Sequence, residues 1–149
     1  MNALARAEEA MRLPARAGMR VVVVVARLDR PTVRALGYAR SIAGHVSAVH
    51  VANDDAATES IRRSWRRLDP GPAMDLVVVR SRGDAATALG TYLDALTAAD
   101  PARPLCVVLS GVVPRARWSY LLQNRAALRL KLRLLSRPNT VVVDVPYHV

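Results

Sequence analysis

The chain has no phenylalanine, only six other aromatic residues and a single cysteine, Cys106. One cysteine excludes an internal disulfide and a cysteine-based zinc site. Within "PLCVVLS" it reads as a buried strand residue rather than a reactive thiol. Of the 22 basic residues only Lys131 is a lysine. Long apolar runs are missing: "VVVVVA" at 21–26 falls far short of the roughly 20 residues that a membrane-spanning helix needs. The N-terminus lacks the apolar core of a secretion signal and carries Glu8 and Glu9. From Pro101 to Val143 there is no acidic residue, against eight basic ones.

What is present describes one globular domain of 149 residues, 52% hydrophobic and 23% charged. The net charge of +10 predicts attraction to anions, whether nucleotides, nucleic acid or an acidic leaflet. Abundant Arg, Ala and Val are also what a GC-rich genome produces, so the placement of the charge says more than its total.

Five β-branched runs recur at regular intervals: 19–26, 45–51, 75–81, 104–110 and 140–146. Most are apolar nearly throughout, as strands buried on both faces of a parallel sheet are. Between them lie helix-length segments. Pro31 and Thr32 open the first, with Val33, Leu36, Ala39 and Ala43 expected inward. Residues 54–68 have Asp54 or Asp55 as cap and their basic residues late. Residues 84–99 have Asp84 as cap and Leu89, Leu93 and Leu96 at helical spacing, and a fourth segment spans roughly 115–136. Residues 1–13 read as an extra helix, so the expected organisation is a leader and linker over 1–18 and one domain over 19–149. Alternating strand and helix specify an open α/β sheet with helices on both faces and ligands at the C-terminal strand ends.

No catalytic constellation is legible, and no enzymatic activity is expected. His45, His50 and His148 lack partners at zinc-ligand spacing, and there is no phosphate loop or nucleophile elbow. Asp29 and Asp144 are the carboxylates near strand ends. The loop "ARLDRPT" places Arg27, Asp29, Arg30 and Thr32 at the end of the first strand. An arginine and a helix N-terminus there can hold a phosphate and Asp29 a ribose hydroxyl or an adenine amine, or Asp29 can pair with an arginine at a plain helix start. His50 faces a crevice or is a satisfied structural residue. "RRSWRR" at 62–67 resembles a nucleic-acid surface, but Ile61, Trp65 and Leu68 at helical spacing make its arginines a solvated rim.

In the fourth segment, a 100° wheel groups Leu121, Leu128, Leu132 and Leu135 as the expected sheet-facing arc. Arg125, Arg129 and Arg133 form a stripe beside it. Leu130 and Leu134 fall nearly opposite, a second apolar face that predicts a subunit or domain contact.

The stretch "VVPRARWSYLLQNRAALRLKLRLLSRPNTVVVDVPYHV" at 112–149 resembles the C-terminal cytoplasmic tail of bacterial transporters of the amino acid–polyamine–organocation superfamily, which carry amino acids or potassium. Pro114, Arg115, Trp118, Asn124, Ala127 to Leu132, Arg137, Pro138 and Val145 to His148 carry the likeness, which extends over about residues 20–149. The chain departs from it at Arg117, where the family often has Trp, and at Arg125 and Ala126, where Gln and Thr are usual. The resemblance implies a universal stress protein-like, Rossmann-like fold with sheet order 3-2-1-4-5. It also implies a homodimer paired through the last strand, with Val141, Val143 and Tyr147 at the contact, and a transporter membrane domain in the same chain or in trans. Gly111 stands alone after the fourth strand, so the glycines of the usual ATP cradle are missing.

Potassium-importing members imply cyclic di-AMP as ligand. The positions that would line its site are Arg27, Asp29, Arg30, Thr32, His50, Val51, Ser110, Gly111, Arg115, Asn124, Arg125 and Arg129. No resident cofactor or metal is expected. The expected function is a non-catalytic cytosolic regulatory module. A ligand-free dimerisation module is the second reading, and nucleic-acid binding the weakest. The leader suits the juncture after a last membrane helix and a stand-alone start equally.

Overall fold

The computed structural model describes residues 18–113 and 125–148. The element order is β1 (Arg20–Val24), α1 (Arg30–Ile42), β2 (Val46–Ala52), α2 (Asp55–Leu68), β3 (Met74–Arg80), α3 (Ala85–Ala99), β4 (Leu105–Val113), α4 (Arg125–Leu135) and β5 (Thr140–His148). The strands form one sheet in the order β3-β2-β1-β4-β5, and every pairing is parallel. This is the order that the family likeness implies. Of the expected leader, residues 1–17 lie outside the described residues, as does Leu121.

The valine runs form strands because both faces of each central strand are covered. Val21, Val22 and Val23 are 2%, 0% and 0% exposed. Alternate residues divide between two apolar layers. Val21, Val23, Ala48, Cys106, Val108 and Val145 face α1 and α2, where Leu36 and Ile61 complete the packing. Val22, Val49, Val107, Leu89, Leu93 and Leu134 form the second layer with α3 and α4. Burial pushes the Cys106 thiol up, in keeping with a packing role. Each of the first three helices begins at an aspartate: Asp29, Asp54 and Asp84 accept from the amides of Thr32, Ala57 and Ala86. Turns close with left-handed residues at Asp69, Gly71 and Asn139. β5 continues through Pro146, which an edge strand tolerates.

Two helix faces differ from the sequence expectation. In α1 the buried residues are Thr32, Ala35, Leu36 and Ala39, while Val33 is 42% exposed on the flank. Small residues let α1 lie close on the sheet, so the stripe is centred on alanine rather than valine.

In α4 the apolar faces are exchanged. Leu134 is 2% exposed and Leu130 packs on the α3 layer, whereas Leu132 and Leu135 are 58% and 57% exposed. The expectation that Leu130 and Leu134 form the outer contact face is therefore overturned. The charged residues between the arcs fit the observed rotation. With Leu130 and Leu134 inward, Lys131 reaches Asp144 of β5 at 3.0 Å and Arg133 reaches Asp84 of α3 at 3.3 Å. Turning the helix over would cost both partners.

The two leucine arcs predict opposite mutational effects. Leu134→Ala should destabilise the domain by about 2–5 kcal/mol. Leu132→Ala should stay within about 0.5 kcal/mol of the parent. Urea unfolding followed by circular dichroism measures both.

Candidate functional site

The sheet order reverses between β1 and β4, so the chain leaves these neighbouring strands in opposite directions and a crevice opens at their C-terminal ends. A cavity of ≈ 190 Å³ lies there, lined by Val24, Ala26, Leu109, Ser110, Leu130, Lys131 and Asp144. Its wall is mainly apolar, with the Lys131–Asp144 pair as its charged part. It is smaller than the roughly 300–1,000 Å³ clefts that enclose drug-sized ligands.

On the α1 side of the same strand ends, the first loop is organised by Asp29. Its Oδ1 accepts from the Thr32 amide at 3.0 Å and the Thr32 hydroxyl at 2.8 Å, and its Oδ2 accepts from Arg27 Nε at 3.0 Å. Partial burial works against the charged carboxylate. The Thr32 and Arg27 hydrogen bonds together outweigh it and hold Asp29 below the usual carboxylate range. Thr32 is 2% exposed, and its hydroxyl lies 3.4 Å from that of Ser110, tying the α1 N-terminus to β4. The described geometry fits the reading of Asp29 paired with an arginine at a helix start, and adds a cap on Thr32 that the sequence did not indicate; both Asp29 oxygens are engaged.

The structure brings Arg27, Asp29, Arg30, Thr32 and Ser110 to one end of the sheet. Gly111 follows in β4, where it pairs with Pro146. His50 points to the α1–α2 layer, and its Nδ1 lies 2.7 Å from the Val25 carbonyl oxygen. That carbonyl and partial burial fit the structural reading of the histidine. Val51 turns the other way and packs in the α3–α4 layer. Arg129 is exposed on α4. Arg125 begins α4, and nothing of its side chain is described. Arg115 and Asn124 lie outside the described residues. Val141, on the edge strand, is 50% exposed, whereas Val143 packs against the core. Tyr147 is half-buried.

Of the cavity residues only Ser110 is among the positions expected from the sequence; Val24, Ala26, Leu109, Leu130, Lys131 and Asp144 are not. The available signal was Asp144, an acid isolated in an apolar strand that required a cation from the helix crossing above it. Among the described residues, no group of three or more His, Cys, Asp or Glu is arranged to hold a metal ion, and no helix is long and apolar enough to cross a membrane.

The Asp29 cap yields a pH prediction. Asp29→Ala should cost about 0.5–2 kcal/mol at neutral pH. Its folded-state pKa is depressed, so this stabilisation is complete above the ordinary carboxylate value of about 3.9 and is lost as pH falls through the folded value. Melting temperatures of the two proteins should therefore converge in acid. A difference that persisted unchanged at pH 2 would rule out the carboxylate as its source.

Two comparisons bear on this arrangement. The potassium transporter KimA of Bacillus subtilis (strain 168) is 25% identical over 133 residues, covering 88% of this chain. The chain spans only 22% of that transporter's length. A family model described as the KimA potassium transporter C-terminal domain matches residues 16–147. That match takes in β1 to β4, all four described helices and β5 as far as Tyr147, and the chain belongs to the KimA potassium transporter C-terminal domain family.

Proposed function

We propose that this domain is a cytosolic, non-catalytic regulatory module of a potassium transporter, working as a homodimer that binds cyclic di-AMP. The observation that carries this reading is the apolar cavity at the β1–β4 switch point. Val24, Ala26, Leu109 and Leu130 offer faces for a purine, and Ser110 offers a hydroxyl at its edge. The exposed guanidinium of Arg30 stands at the N-terminus of α1, where backbone amides also favour a phosphate. Arg129 supplies a second exposed cation from α4. The cavity is too small for a whole cyclic dinucleotide. A ligand with two adenines and two phosphates is matched by two copies, each contributing one cavity.

The support for pairing is at the β5 edge. Val141 is 50% exposed on the α1 side of this strand, and Leu132 and Leu135 are exposed on α4, which packs over its other side. An unpaired edge with apolar residues on both flanks invites a second chain. Here Leu132 and Leu135 replace Leu130 and Leu134 as the α4 residues that a partner would meet.

A second reading, a dimerisation module without a nucleotide, is favoured by one observation. The Asp29 carboxylate and the Lys131 ammonium are both already engaged by neighbours.

Isothermal titration with cyclic di-AMP separates the two readings. The first predicts saturable heat with one ligand per two chains, and a loss of affinity of about ten-fold or more in Arg129→Ala. No heat at saturating ligand favours the second. Both predict that Val141→Glu converts a dimer to a monomer in light scattering; a dimer that survives it would place the contact elsewhere.

A further inference from the structure

Charge is divided unevenly between the two sides of the sheet. On the α3–α4 side the cations have partners: Arg133 with Asp84, Lys131 with Asp144 and Arg137 with Asp94. Arg129 on α4 and Arg82 in the loop before α3 have no ion-pair partner among the described residues. The α1–α2 side is different. Arg30, Arg34, Arg40, Arg62, Arg63 and Arg67 are all exposed, and none takes part in an ion pair among the described residues. The local acids are committed elsewhere. Asp29 and Asp54 cap helices, Asp55 pairs with Arg80 and Glu59 with Arg66, which leaves Asp69 alone unengaged.

α1 and α2 have 13 and 14 residues, which makes each about 20 Å long. Helices that neighbour one another on a sheet lie about 10 Å apart. The six guanidinium groups are thus carried by two helices on the same side of the sheet. Between the helices runs a shallow recess of ≈ 250 Å³, with Val33, Leu36, Leu68 and Met74 in its wall and Arg40 at its side. Arg40 and Asp69 are the charged residues of its lining, and the other five arginines are exposed on the two helices that flank it; guanidinium groups beside an apolar recess match phosphate groups above hydrocarbon. A nucleic acid would bring phosphates too, but also bases that need aromatic platforms. Trp65 packs against the core, and Tyr38 lies on the α1 flank away from this recess.

We infer that the α1–α2 face is a docking surface for an anionic phospholipid membrane. The inference rests on the reading of this chain as a domain joined to a membrane protein. A tether to the bilayer supplies a high effective concentration, so weak electrostatic contacts suffice.

The test is co-sedimentation of the chain with phosphatidylcholine vesicles, with and without about 30% phosphatidylglycerol. Binding is expected only to the anionic vesicles and should weaken as salt rises. Arg63→Glu should reduce it by about ten-fold or more. Arg34→Glu, on the other helix, should do the same. Arg82→Glu makes the same charge change in the loop before α3 and should reduce binding less than about two-fold. Equal losses in all three variants, or no binding to anionic vesicles in low salt, would overturn the inference. So would single-stranded RNA binding at physiological salt that is lost in Arg63→Glu while vesicles are ignored. The assay uses neither cyclic di-AMP nor the β5 edge. Failure of the nucleotide reading therefore leaves its outcome intact, and the reverse holds.

Discussion

A parallel sheet has to be covered on both faces, and most of this structure follows from that constraint. β1 is the strand on which it bears hardest: it is hydrogen-bonded on both sides, to β2 and β4, and three of its valines are sealed from solvent. Each parallel neighbour requires a crossover, and each crossover here carries a helix whose apolar stripe closes one face. The chain moves outward from β1 to β2 and β3, then returns past β1 to β4 and β5. The crevice between β1 and β4 is thus a product of connectivity, not of any motif, and it lacks a glycine-rich cradle because only Gly111 stands at the end of β4.

The edge of the sheet carries a second constraint. β5 has one neighbour, and the helix that covers it, α4, is rich in leucine on nearly every side. In the observed rotation Lys131 meets Asp144 and Arg133 meets Asp84, on opposite flanks of the helix. Exposed ion pairs contribute little to stability, so these pairs accompany the packing of Leu130 and Leu134. The outcome leaves Leu132 and Leu135 facing solvent and gives the domain an apolar margin along β5.

Among the described residues, the chemistry left over from packing lies on surfaces and at strand ends. The first loop, which has the composition of a nucleotide loop, spends its aspartate on the α1 cap. The cations not used internally collect on the α1–α2 side, while the apolar residues not used internally collect along β5. This separation lets one small sheet present different chemistry in different directions.

By itself the sequence determined the strand and helix order, the Asp84 cap, a second cap at Asp54 or Asp55, and the core character of the valine runs. It also carried the family, because those features repeat with local periods and local neighbours, and the block at 112–149 is specific in residue order. Which leucines of α4 turn inward was not legible. Neither was the engagement of Lys131 by Asp144, nor the collection of six unpaired arginines on one side. Those depend on residues far apart in the chain: Asp84 lies 49 positions from Arg133, and the arginines of α1 and α2 come to one side of the sheet only because both helices pack on it. Local spacing sets what each element can bury; only the assembled sheet decides what each element meets.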